Sequence, residues 1–151
     1  MPVLSQTAEY ALRAVLLLAA RDDPEPARVN LLAARLAIPA NYLSKTLSQL
    51  ARAGVLTSTR GKRGGFRLAR PAARIRLDEI VEPFEDVGRR HCLLGRSVCN
   101  DRTACAVHAS WKDVAETMAL FFRNTTVADI VKGRESLTAI VTPRRATAAS
   151  A

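Results

Sequence analysis

Cys92, Cys99, Cys105 and His108 are the residues of this sequence best suited to chemistry. Six residues separate the first two cysteines, five separate the next two, and two lie between Cys105 and His108. Three thiolates converging on one point repel strongly unless a cation lies among them. A zinc knuckle usually opens with a pair about two to four residues apart, and this chain has no such pair. Wider spacing suits a larger object, such as an iron–sulfur cluster whose irons each need a ligand. Clusters normally take about four ligands, so a non-cysteine ligand or an open position is expected beside the cysteines. Gly95, Asn100 and Asp101 suit a wrapping loop. An odd set of cysteines in a cytoplasmic protein points to metal or redox chemistry rather than to a disulfide scaffold. Spacing alone leaves three readings open: a cluster, a structural zinc, and metal-free thiols that switch by disulfide formation. A catalytic cysteine would need a histidine or carboxylate partner in a pocket, and only His91 and His108 are available, so the chain is not read as an enzyme.

The elements that must position these groups follow from periodicity and breakers. Ala11, Ala14, Val15 and Leu18 repeat at helical spacing, which predicts a helix over 7–20 that ends at the Asp22-Asp23-Pro24-Glu25-Pro26 run. A short helix fits Asn30 to Ala37, with Asn30 as its cap and Leu31, Leu32 and Leu36 facing inward. After the Ile38-Pro39 turn, a helix from Ala40 to Ala53 presents Leu43, Leu47 and Leu50 on one face and stops at Gly54. Two helices joined by about three residues form a helix-turn-helix. Two short strands, 55–59 and 65–68, flank the turn Arg60-Gly61-Lys62-Arg63-Gly64 and predict a β-hairpin. A helix from Leu77 to Glu85, a loop from Gly88 to Cys105, a long helix from Ala106 to Arg123 and a last short helix from Val127 to Lys132 follow. Trp111, Val114, Ala115, Met118 and Phe122 make an apolar stripe on the long helix. The fold class is therefore mainly α with a small β-hairpin wing: a winged helix-turn-helix over 1–76, a cysteine loop and long C-terminal helix over 77–133, and a flexible tail over 134–151.

Charge says what the first half binds. The net charge is +9, and residues 1–76 carry 13 Lys and Arg against 4 Asp and Glu. Between Pro26 and Leu77 there are 11 basic residues and no acidic one. A polyanion partner follows, and the helix-turn-helix makes it double-stranded DNA. The second helix of such a pair enters the major groove. Its polar face offers Asn41, Tyr42, Ser44, Lys45, Ser48 and Gln49 to base edges and phosphates. The hairpin adds Arg60, Lys62, Arg63 and Arg67, with Lys62 and Arg63 acting mainly through charge. The apolar run Ala14–Ala20 is too short to span a bilayer, which leaves no membrane role and a cytoplasmic location.

Several segments resemble the Rrf2 family of bacterial regulators. They are Thr7-Ala8-Glu9-Tyr10-Ala11-Leu12-Arg13, Asn41-Tyr42-Leu43, and Leu50-Ala51-Arg52-Ala53-Gly54-Val55 followed by Arg60-Gly61-Lys62-Arg63-Gly64-Gly65-Phe66. The cysteine triplet and Thr126-Val127-Ala128-Asp129-Ile130 complete the match. The resemblance implies a homodimer that reads a near-palindromic operator, with the long helix crossing to the partner. It assigns the stripe Trp111, Val114, Ala115, Met118 and Phe122 to dimerisation, where intrachain packing is the other reading. It also implies that Cys92, Cys99 and Cys105 hold a 2Fe-2S or 4Fe-4S cluster. The fourth ligand is His108, which follows the third cysteine at the family's interval, or Glu9 from the partner's first helix, or neither of them. The chain departs from the commonest pattern by one extra residue between the first two cysteines. The function implied is a DNA-binding transcription regulator, a repressor in the expected case, that senses redox, nitric oxide or iron status.

Overall fold

Ser5 starts the first helix. Its backbone is extended and its hydroxyl accepts the Ala8 N–H at 3.3 Å, so α1 runs Gln6–Ala19. The computed structural model describes residues 3–21, 23–87, 92–96 and 100–132. Ala8, Ala11, Ala14, Val15 and Leu18 of α1 are buried, and the small alanines let several elements approach this helix closely.

Helices α2 (Val29–Leu36) and α3 (Ala40–Arg52) form the expected helix-turn-helix. Ala37 takes a left-handed φ of 53° between them, and the Ile38 N–H closes back on the Ala33 carbonyl at 3.1 Å. Leu32, Leu36, Leu43, Leu47 and Leu50 fill the space between the two helices and α1. Two local expectations are corrected. Asn30 does not cap α2: Ala27 and Phe66 exchange both backbone hydrogen bonds at 2.8 Å, which keeps the chain extended up to the N-cap Arg28. Leu31 is 47% exposed rather than inward, because the face of α2 that meets the core is Leu32, Ala33 and Leu36.

Gly54, at φ +78°, ends α3 as expected. Strands β1 (Leu56–Thr59) and β2 (Gly65–Leu68) pair antiparallel, with Leu56 opposite Leu68 and Ser58 opposite Phe66. Ala27 extends this hairpin on the β2 side. A Cβ on Gly65 would lie 2.3 Å from the Ala27 carbonyl oxygen, so only glycine permits that approach.

After a 3-10 turn at Ala72–Arg74, helix α4 covers Leu77–Val81 only. It stops short of the expected Glu85 because Pro83 has no N–H to continue the ladder. Helix α5 is His108–Asn124, and a turn from the Cys105 carbonyl to the His108 N–H replaces its expected first residues. Helix α6, Val127–Val131, opens with a capping box between Thr126 and Asp129. The Leu77 N–H donates to the Thr125 carbonyl and the Val127 N–H to the Ile75 carbonyl, which lays α6 beside α4. Ile75, Ile80, Val81, Phe122 and Val127 share one apolar core with α1 and the helix-turn-helix.

The stripe on α5 divides. Ala115 and Phe122 are buried within their own subunit, Trp111 and Met118 are half-buried, and Val114 is exposed. The exposed large apolar residues of α5 are Val114, Leu120 and Phe121. Among the described residues no helix is long and apolar enough to cross a membrane. Cys99 and the expected tail over 134–151 lie outside the described residues.

Candidate nucleic-acid interface and cysteine loop

Burial of Leu43, Leu47 and Leu50 leaves the other side of α3 to solvent. Asn41, Lys45 and Gln49 are exposed there, and Ser44 and Ser48 are half-buried. The Ser48 hydroxyl donates to the Ser44 carbonyl at 2.8 Å. Tyr42 is 39% exposed but is engaged within the subunit. Its hydroxyl hydrogen-bonds the Thr7 hydroxyl, and its ring meets Tyr10 edge-on at 5.7 Å. Tyr10 in turn accepts from the Gln6 side-chain amide at 3.0 Å. The first turns of α1 are thereby tied to the start of α3.

The hairpin sets Arg60, Lys62, Arg63 and Arg67 in solvent. Arg67 stands across from Thr57, with Nε donating to its hydroxyl at 3.4 Å. A Cβ on Gly64 would lie 2.3 Å from the Thr59 carbonyl oxygen, so the tip owes its tightness to this glycine. Arg28, which no sequence pattern marks, donates from Nη2 to the Lys62 carbonyl at 2.5 Å.

The chain ahead of the cysteine loop meets the start of α1. Both carboxylate oxygens of Glu85 accept the Ser5 N–H, at 3.0 and 3.1 Å. Cys92 opens a turn closed by the Gly95 N–H at 3.0 Å, with Gly95 at φ +71°. Arg96 donates to the Thr103 carbonyl at 3.1 Å and so staples this arm to the other one. Asn100 caps a 3-10 turn over Asp101–Thr103, accepting from the Thr103 N–H at 2.9 Å. Two residues further on, Cys105 supplies the carbonyl for the turn into α5. Cys92 and Cys105 are both half-buried.

His108 is buried, and its Nε2 lies 2.9 Å from Asp101 Oδ1. Lys112 donates to both oxygens of the same carboxylate, at 3.2 and 3.3 Å. Hydrogen bonds from His108 and then Lys112 hold the Asp101 carboxyl below the usual aspartate range. Glu9 stands on α1 with a side chain 44% exposed, 4.0 Å from Arg13. Among the described residues no three His, Cys, Asp or Glu side chains are assembled as a metal site. The donor set still suits a soft metal centre: two half-buried thiols sit on one stapled loop, with an imidazole at its end. Ser5, Glu85 and Arg96 complete this region, and no sequence pattern marks them as partners; Asp101, expected only as a loop former, is also the partner of His108. Only a cap-forming serine ahead of an apolar run signals any of them locally.

Residues 4–133 match the Rrf2 family, described as an iron-dependent transcriptional regulator. The HTH-type transcriptional regulator IscR of Klebsiella pneumoniae (strain 342) is 30% identical over 135 residues, covering 89% of this chain and 82% of that protein. Two solved structures share the fold. One is CymR, the global cysteine regulator of B. subtilis, at TM-score 0.74 and 23% identity over 88% of this chain and 98% of that one. The other is T. potens IscR, at TM-score 0.71 and 24% identity over 89% of this chain and 90% of that one.

Proposed function

The chain belongs to the Rrf2 family and is a transcriptional regulator rather than an enzyme, and from that premise we propose that it is an operator-binding homodimer governed by an iron–sulfur cluster. The cluster ligands in this reading are Cys92, Cys99 and Cys105, with His108 or Glu9 as the fourth. The observation that carries it is the Arg96–Thr103 staple, which holds the Cys92 and Cys105 arms of one loop together between the winged half and α5. Thiolates drawn to one centre would need its positive charge to offset their repulsion. If His108 ligates through Nε2, Asp101 must give up that atom, whereas Glu9 is already exposed.

A bound cluster would supply a tie sensitive to iron supply and oxidants. The chain's own residues carry that tie to DNA. Glu85 grips the Ser5 N–H at the head of α1, and Thr7 grips Tyr42 at the head of α3. A shift of the cysteine loop therefore has a short bonded route to the recognition helix, which fits a two-state switch biased by ligation. Asn41, Tyr42, Ser44, Lys45, Ser48 and Gln49 are the proposed groove-facing set. Arg60, Lys62, Arg63 and Arg67 are the proposed wing contacts. Val114, Met118 and Phe121 lie at helical spacing along one groove of α5 and are the proposed dimer seam.

The test is an absorption spectrum with iron and sulfide analysis on protein purified without oxygen. Visible charge-transfer bands with matching iron and sulfide support the cluster. A colourless protein with stoichiometric zinc, or an iron-free one that forms disulfides on oxidation, overturns the cluster and leaves the family assignment standing.

A further inference from the structure

A cleft of about 660 Å³ opens between the end of α3 and the wing. Ser48 lines it from the recognition helix, Ser58 and Arg60 from the hairpin, Phe66 from β2, and Arg28 from the start of α2. Every charged side chain on it is basic. Arg28 is exposed, and its Nη2 holds the Lys62 carbonyl at the wing tip. A guanidinium carries about five N–H donors in a rigid fork, so one bond to a carbonyl leaves others to engage an anion. On the far side of Arg28 a smaller cleft contains Glu25 beside Arg63, so the acid-free side is the one shared with Ser48 and Arg60.

We propose that Arg28 bridges the wing to the DNA backbone: one edge of its guanidinium fixes the Lys62 carbonyl, and the other takes a phosphate seated in the cleft with Ser48 and Arg60. This rests on the DNA-binding reading and extends it to a residue outside both the recognition helix and the hairpin. A phosphate here lies between the groove-reading face of α3 and the wing, where a duplex spanning both elements must pass its backbone. Arg28 thereby sets the distance between the two reading elements and supplies a charge at the same point.

The experiment is fluorescence anisotropy of wild type, Arg28→Met and Arg28→Lys on a labelled mixed-sequence duplex, from about 50 to 200 mM salt. The expected result is a several-fold loss of affinity for Arg28→Met, with the slope of log K against log salt falling by about 0.9, one phosphate's share. Arg28→Lys keeps that slope but binds more weakly than wild type, because an ammonium lacks the fork. An Arg28→Met protein with the wild-type slope overturns the phosphate contact, whatever its affinity. If wild type itself does not bind the duplex, the DNA-binding reading fails first, and the two failures are distinct.

Discussion

The hydroxyl of Tyr42, at the head of the recognition helix, is hydrogen-bonded to the hydroxyl of Thr7 on α1. Tyr42 is thus a joint between helices as much as a surface residue. Its ring also packs edge-on against Tyr10, so the aromatic contact survives loss of the hydroxyl. Tyr42→Phe is expected to lower stability by about 0.5–1 kcal/mol in urea denaturation, the modest net worth of an exposed hydrogen bond. Operator affinity should change by less than the tenfold that about 1.4 kcal/mol represents. A large affinity loss at unchanged stability would show instead that the hydroxyl leaves Thr7 to contact DNA.

Gly65 is as tight a point of the wing as Gly64. A methyl group there meets the Ala27 carbonyl oxygen at 2.3 Å, and that atom is backbone inside a paired bridge. Neither side can yield without breaking two hydrogen bonds. Gly65→Ala should destabilise the domain by about 1–3 kcal/mol, read from the urea midpoint, and should weaken DNA binding further by splaying the hairpin from α2. Unchanged stability would mean that the Ala27–Phe66 bridge is dispensable.

The helix-turn-helix and wing were legible because their signals are local. Leu43, Leu47 and Leu50 repeat at helical spacing, and Gly61, Gly64 and Gly65 mark one tight basic turn. What was not legible joins distant positions. Arg28 reaches Lys62 and Ser5 meets Glu85 with no pattern linking either pair in sequence. Asn30 is a good cap by propensity, yet pairing of Ala27 with Phe66 places the N-cap of α2 at Arg28. The periodicity of α5 suggests one apolar face, but the helix buries Ala115 and Phe122 within the subunit while Val114 and Phe121 look outward.

Glu79 gives the fold a measurable acid dependence. Burial raises its carboxyl, but the Arg76 backbone N–H and the Arg70 guanidinium outweigh that and hold it below its ordinary value near 4.5. Arg70 Nη2 stands 2.9 Å away. A carboxylate lowered on folding stabilises the native state above its unfolded pKa, and that contribution is lost as pH falls through the lower folded value. Both arginines are more than a third exposed, so screening keeps the effect below about 1 kcal/mol. Wild type should exceed Glu79→Gln in stability at neutral pH, and the two should converge below pH 4.5. Parallel curves down to pH 3 (about the foot of the carboxylate range) would exclude Glu79 as the source.

Phe121 and Phe122 are adjacent, with ring centroids 5.5 Å apart, yet they serve different surfaces. Phe122 is 5% exposed and joins the core with Val127 and Ile80, whereas Phe121 is 53% exposed on the face of Val114 and Met118. Phe122→Ala removes a buried ring and should cost about 3 kcal/mol or more. Phe121→Ser removes nothing from the subunit's core, so far-UV circular dichroism should stay at wild type. If Val114, Met118 and Phe121 form the dimer seam, sedimentation of that variant should show monomer at concentrations where wild type is dimeric. DNA affinity should then fall steeply, because a monomer reads one half-site where a dimer reads two. A Phe121→Ser protein that remains dimeric would move the interface off this face of α5, and the next candidate on the helix is Leu120, 45% exposed.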